Sequence, residues 1–171
     1  MSIVRTFTGT SVDLLDPNPN AIRIEDIAHH LAKLDRYNGA APYPYSVGQH
    51  SLLVAELLPP DLQLWGLLHD ATEAFLGDVV SPLKGLLPDY RRIEEKLHQA
   101  VCAAFGLQWP RPQAVKDADR RIMSLEMIQV HGWQDAGGRK DLPSPPEGIV
   151  IKPMTWVEVK DSFLKKFTMV V

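Results

Sequence analysis

The chain has 171 residues, 45% of them apolar and 23% charged, with a net charge of -3. This is the balance of one soluble globular domain, here residues 1–171, and it gives no general attraction to nucleic acid or to a membrane surface. Cys102 is the only cysteine, which excludes an intrachain disulfide and a thiolate zinc site. The opening residues have no signal-peptide anatomy and no apolar run is long enough to span a bilayer, so the expected compartment is the cytoplasm.

Residues 10–20, rich in Asp, Pro and Asn, read as an ordered turn region. Apolar residues at 24, 27, 28, 31 and 34 then predict a helix over 24–36, stopped by Asn38-Gly39. Ser46 is placed to cap a helix running to 58, which Pro59-Pro60 ends. Asp61 could cap the next helix, extending to about Leu76 with Gly77 as its stop. Residues 78–88 read as a loop, followed by helices over 89–105 and about 112–131. Gly137-Gly138 and Pro143-Ser144-Pro145-Pro146 make the longest irregular stretch, and Thr155 caps a last helix to about Phe167. The expected fold is an all-α bundle of about six helices, with no convincing strand because 148–152 is too short and unpaired.

His69-Asp70 is the most informative pair in the chain. It closes the apolar run Leu64-Trp65-Gly66-Leu67-Leu68, with Glu73 about one turn further on. Two potential metal ligands at the end of a buried stretch are costly to desolvate unless something binds them. His50 on an earlier helix and Asp119 on a later one could join them at a bundle centre. Adjacent residues on a helix diverge by about 100°, so both His69 and Asp70 reach one ion only if it lies in the groove beside the helix. Two imidazoles and two carboxylates suit zinc, cobalt, manganese or iron.

The segments Tyr45-Ser46-Val47-Gly48-Gln49-His50-Ser51, His69-Asp70-Ala71-Thr72-Glu73-Ala74-Phe75-Leu76-Gly77-Asp78 and Val115-Lys116-Asp117-Ala118-Asp119 resemble the HD-domain metal-dependent phosphohydrolases in residue type and order. The resemblance covers roughly residues 24–130 and is nearest to bacterial 5'-deoxynucleotidases and short phage deoxynucleoside triphosphohydrolases, including those acting on dATP. It implies an HD-domain helical bundle whose His50, His69, Asp70 and Asp119 ligate zinc, cobalt or manganese, with magnesium carried in on a polyphosphate. It implies catalytic roles for Glu73 and Asp78, and phosphate binding by Arg36, which Tyr37 follows. Lys84 and Lys116 are further phosphate candidates, and Tyr37 could stack on a base or sugar.

The activity the resemblance implies is hydrolysis of a deoxynucleoside triphosphate, dATP favoured, to deoxynucleoside and triphosphate. Hydrolysis of deoxynucleoside monophosphates is the alternative. A (p)ppGpp hydrolase is disfavoured because Ala74 stands where those enzymes carry a second carboxylate. A non-catalytic binding module is disfavoured because all four ligand positions and both acidic positions are filled. The resemblance also implies a homo-oligomer, dimer or hexamer, with no polymeric nucleic acid or membrane partner. It further implies the host cytoplasm as the location if the protein is phage-encoded. His98 is the only histidine between the HD pair and Asp119, which argues against a second protein-built metal site, while His29, His30 and His131 read as structural or surface residues.

Overall fold

Apolar spacing builds α1 (Ile24–Lys33), which buries Ile27, Ala28 and Leu31 and stops when Leu34 turns extended. Ser46 caps α2 (Val47–Leu57) as the sequence predicts, its Oγ accepting the backbone N–H of Gln49 at 3.2 Å. Next come α3 (Gln63–Leu68), α4 (Glu73–Leu76), α5 (Ser81–Lys84), α6 (Pro88–Phe105), α7 (Gln113–Gln129) and α8 (Trp156–Val170). In this computed structural model residues 2–133 and 141–171 are described, so Gly137-Gly138 lies outside the described residues. Thr155 and Glu158 form a reciprocal capping box at the start of α8. The protein is an all-α bundle, as expected.

The core explains the arrangement. One apolar cluster joins Ile27 and Leu31 of α1, Val47 and Ala55 of α2, Leu67 and Leu68 of α3, and Phe163 of α8. A second joins Val54 of α2 and Trp65 of α3 to Val115, Ala118 and Ile122 of α7. Helix α2 therefore belongs to both clusters and packs on α1, α3, α7 and α8. The contact between α2 and α3 is unusually close, because a Cβ on Gly66 would stand 2.7 Å from the Ala55 Cα. Only glycine permits that approach.

Four expectations need correction. A strand pair does exist: β1 (Ile3–Arg5) runs antiparallel to β2 (Ser11–Asp13), with Val4 opposite Val12. Its hairpin tip is tied to α1 by Asp26, which accepts the Thr8 backbone N–H at 2.7 Å and the Thr8 hydroxyl at 2.9 Å. The single helix expected to end at Leu76 is split into α3 and α4, because residues 69–72 tighten into a turn. There Ala71 N–H bonds Leu68 O and Glu73 N–H bonds Asp70 O, the i to i-3 pattern of a tighter coil. Asp61 sits in a short 3-10 turn, Pro60–Leu62, and caps nothing in α3, whose N-cap is Leu62. The expected loop at 78–88 also holds the one-turn helix α5, started by Pro82 in its first turn.

Between α1 and α2, Arg36 N–H bonds Tyr45 O at 2.9 Å and Val47 N–H bonds Leu34 O at 2.9 Å. These bonds close the 35–46 loop at its neck and hold Arg36 beside Tyr45. Overpacking at the α2–α3 contact tests the close-approach argument. Gly66→Ala is expected to destabilise the protein by about 1–3 kcal/mol in denaturant unfolding, whereas alanine at the open position Gly132, where φ is +71°, adds strain but no clash.

Candidate metal centre and adjoining cavity

His50 on α2 and His69 at the end of α3 are both fully buried, and their Nε2 atoms stand 3.2 Å apart. His69 Nδ1 faces the Gly66 carbonyl at 2.7 Å. A carbonyl only accepts, so Nδ1 carries the proton and Nε2 presents its lone pair. His50 Nδ1 donates to Glu126 Oε1 at 2.6 Å, so its Nε2 is likewise turned inward. Asp119 Oδ1 lies 3.1 Å from His50 Nε2 and 3.9 Å from His69 Nε2. The ligand atoms of His50, His69 and Asp119 all fall within 4.8 Å of one another. Asp70 Oδ2 adds a fourth group, 3.1 Å from His69 Nε2 and 3.9 Å from His50 Nε2. The turn that splits the predicted helix is what carries Asp70 round to the same side as His69.

Four lone-pair donors converging in a buried pocket repel one another unless a cation or proton sits between them. This group could hold a metal ion, and the donor set of two imidazoles and carboxylates fits a borderline divalent cation. The electrostatics agree. Burial and Arg36 oppose a charged His50, but Glu126 and Asp119 outweigh them and raise its pKa to about 9. Burial opposes ionisation of Asp70, yet His69, His50 and Arg36 hold its pKa well below the carboxylate range. Asp119 is also lowered against burial, by its bond to His50 and by the charge of His69. A proton and a metal therefore compete for the same Nε2 atoms.

The centre opens on a cavity of about 910 Å³, within the span of small-molecule sites. Glu73, Asp78, Arg36, Tyr37, Lys84 and Lys116, all singled out from sequence, line it together with Asp70 and Asp119. Glu73 begins α4 and is buried; its Oε1 accepts from Lys84 Nζ at 3.2 Å, while its Oε2 is buried without a partner. Burial, Asp70 and Asp78 together push the Glu73 pKa well up. Burial also raises Asp78, which follows the positive-φ Gly77 ending α4. Lys84 on α5 is held between Glu73 and Glu94, 2.7 Å from Glu94 Oε1. Lys116 is exposed on α7, one turn before Asp119.

Arg36 and Tyr37 occupy the cavity wall, but their polar ends face Glu126. Arg36 Nη2 lies 3.3 Å from Glu126 Oε2, and its Nη1 3.6 Å from Asp70 Oδ2. The Tyr37 hydroxyl donates to Glu126 Oε2, and its ring meets the edge of His131 at 4.7 Å. The Tyr45 hydroxyl donates to Glu126 Oε1 at 2.7 Å. Glu126 thus binds four side chains while fully buried, and burial notwithstanding, Arg36 and His50 lower its pKa to about 2.

Sequence reasoning missed this carboxylate. The available signal was its position on α7, two turns after Asp119, as a lone charge in Met123-Ser124-Leu125-Glu126-Met127. The remaining histidines have local duties. His98 Nε2 donates to the His69 carbonyl at 2.9 Å. His30 accepts from Phe7 N–H and contacts Ala74 O, His29 stacks on Phe7, and His131 stacks on Trp133.

No family model matches the chain. It is 38% identical to an uncharacterized protein of Rhodobacter capsulatus over 93% of this chain and 90% of that protein. It is 39% identical to the uncharacterized protein YfdR of Escherichia coli over 74% of this chain and 71% of that protein. The chain belongs to the same family as these two proteins. Among the described residues, no helix is long and apolar enough to cross a membrane.

Glu126 fixes the His50 tautomer, so its removal should be felt at the metal. Glu126→Gln is expected to weaken cobalt binding about 10–100-fold, read by competition with a chromophoric chelator. Unchanged affinity in a folded variant would show that His50 is oriented by packing alone.

Proposed function

We propose that this family member is an HD-type, metal-dependent phosphohydrolase acting on a deoxynucleotide, most directly a deoxynucleoside triphosphate such as dATP. The observation that carries the reading is the pair of inward Nε2 lone pairs at 3.2 Å, flanked by Asp70 and Asp119 and open to a large cavity. The proposed ion is zinc, cobalt or manganese at His50, His69, Asp70 and Asp119. When bound, it would polarise a phosphoryl oxygen and acidify water.

The chain's own groups supply the rest. Glu73 stands at the cavity with one oxygen held by Lys84 and the other without a partner. Its raised pKa suits a carboxyl group that takes a proton from the attacking water and gives it up again. Asp78, on the same wall, can hold that water in line. Water oxygen bonds to the α-phosphorus, the bond from phosphorus to the 5'-oxygen breaks, and the departing 5'-oxygen takes a proton. The products are deoxynucleoside and tripolyphosphate from a triphosphate, or deoxynucleoside and orthophosphate from a monophosphate. Arg36, set between Asp70 and Glu126, holds both carboxylates in place on the metal side of the cavity.

The test is product analysis after incubating the purified chain with cobalt or manganese and, separately, dATP and dAMP. Tripolyphosphate from dATP with dAMP untouched is the expected result. Orthophosphate from dAMP alone would move the protein to the monophosphate nucleotidases, and activity on neither would overturn the nucleotide reading. Glu73→Gln is expected to lower kcat about 10²–10⁴-fold while leaving cobalt bound, as seen in the cobalt absorption spectrum.

A further inference from the structure

Charge is unevenly spent along the cavity. Arg36 and Lys84 are each wedged between two carboxylates, Asp70 and Glu126 for the first, Glu73 and Glu94 for the second. Their charge is largely offset before any ligand arrives. Arg111 and Lys116 differ: both line the cavity, and neither has a carboxylate partner among the described residues. Arg111 Nη1 instead points at the His69 carbonyl, 3.5 Å away, beside the metal ligands. Both cations flank the start of α7, whose first turn exposes backbone N–H groups and a partial positive charge. Glu95 of α6 also lines the cavity and follows Arg91 by four residues along the same helix.

The other end of the cavity has the opposite character. Met123 and Met127 of α7 and Trp133 beyond it line the wall without a free charge. Lys116, Asp119, Met123 and Met127 recur at helical spacing on one side of α7. At about 1.5 Å per residue, Lys116 lies about 4.5 Å along the axis on one side of Asp119 and Met127 about 12 Å on the other. The helix thus lays out a cationic end, a metal ligand and an apolar end in a row.

Resting on the metal-hydrolase reading above, we propose that substrate lies along α7 with its polyphosphate tail at Arg111 and Lys116 and its nucleoside at Met123, Met127 and Trp133. The cationic end selects a triphosphate over a monophosphate, because a monophosphate centred at the metal leaves Arg111 and Lys116 unused. Arginine is suited to this task, its planar fork gripping two phosphate oxygens at once. The apolar end takes the base and sugar, and the flexible methionines adapt to their outline.

Calorimetric titration of the full chain with inorganic tripolyphosphate, orthophosphate and deoxyadenosine, with and without cobalt, tests the assignment. Tripolyphosphate is expected to bind at least about tenfold more tightly than orthophosphate. Arg111→Gln and Lys116→Gln should each weaken tripolyphosphate about tenfold with little effect on deoxyadenosine. Met127→Glu should do the reverse. Equal affinity for the two anions, or losses that fall alike on anion and nucleoside, would overturn the proposal. The cobalt absorption spectrum reports the metal reading separately. A chain that fails to bind cobalt but shows this pattern of losses sinks the hydrolase reading and keeps the orientation. A cobalt-loaded chain without the pattern does the opposite.

Discussion

Two imidazoles held with their Nε2 atoms 3.2 Å apart impose the condition on which the rest of the bundle depends. Neither ring can turn away. His69 is pinned through Nδ1 by a carbonyl of its own helix, and His50 by a carboxylate on α7. The first restraint is local and rests on the close α2–α3 approach at Gly66. The second is tertiary and brings a fully buried anion into the core. Such an anion costs several kcal/mol to desolvate unless it is paired and hydrogen-bonded. Arg36, Tyr37 and Tyr45 meet that requirement, and the loop neck joining Arg36 to Tyr45 exists in the same place. One buried carboxylate therefore connects the metal side of the site to the loop that follows α1.

The opposite wall is built differently. Glu73 and Lys84 sit on helices of only one turn, α4 and α5, which have no stability of their own. Their order comes from outside. His30 on α1 contacts the Ala74 carbonyl at 2.6 Å, while Lys84 joins α5 to both α4 and α6. The metal side thus stands on long helices, while the side that would handle the water proton stands on one-turn helices, of which α4 is anchored in the core by Ala74 and Phe75 and α5 is joined to its neighbours through Lys84. The division fits the chemistry proposed, since metal ligands must stay fixed and a proton-transferring carboxyl must exchange with solvent.

Much of this was legible in the sequence, for physical reasons that differ by residue. His50, His69, Asp70 and Asp119 were legible as a set chiefly through their likeness to the HD-domain motif, helped by the cost of burying His69-Asp70 after an apolar run, and the structure does bring these four together. Ser46 and Thr155 were legible as caps because capping is a local matter. The break at residues 69–72 was not, because a tight turn with helical backbone leaves the apolar spacing almost intact. The β1–β2 hairpin was missed because three-residue strands carry too little alternation to read. Arg36 and Lys84 stood out as phosphate candidates through the resemblance, but their carboxylate partners were not legible: Glu126 lies 90 positions beyond Arg36, where no local pattern can couple the two.

For the polyanionic substrate proposed, a chain of net charge -3 offers no long-range attraction, so it would have to be created within the cavity. The carboxylates there work against it: Asp70, Glu73, Asp78 and Asp119 all face the same space. Salt bridges remove only part of that repulsion, since Arg36 and Lys84 each serve two acids at once. What remains is an excess of negative charge gathered around His50 and His69, and a divalent cation is the simplest species that offsets it without rearranging a packed core. The acids that would repel a phosphate on their own would draw it in once a cation lay between them, and in the proposed orientation Arg111 and Lys116 at the start of α7 would decide on which side the phosphates lie.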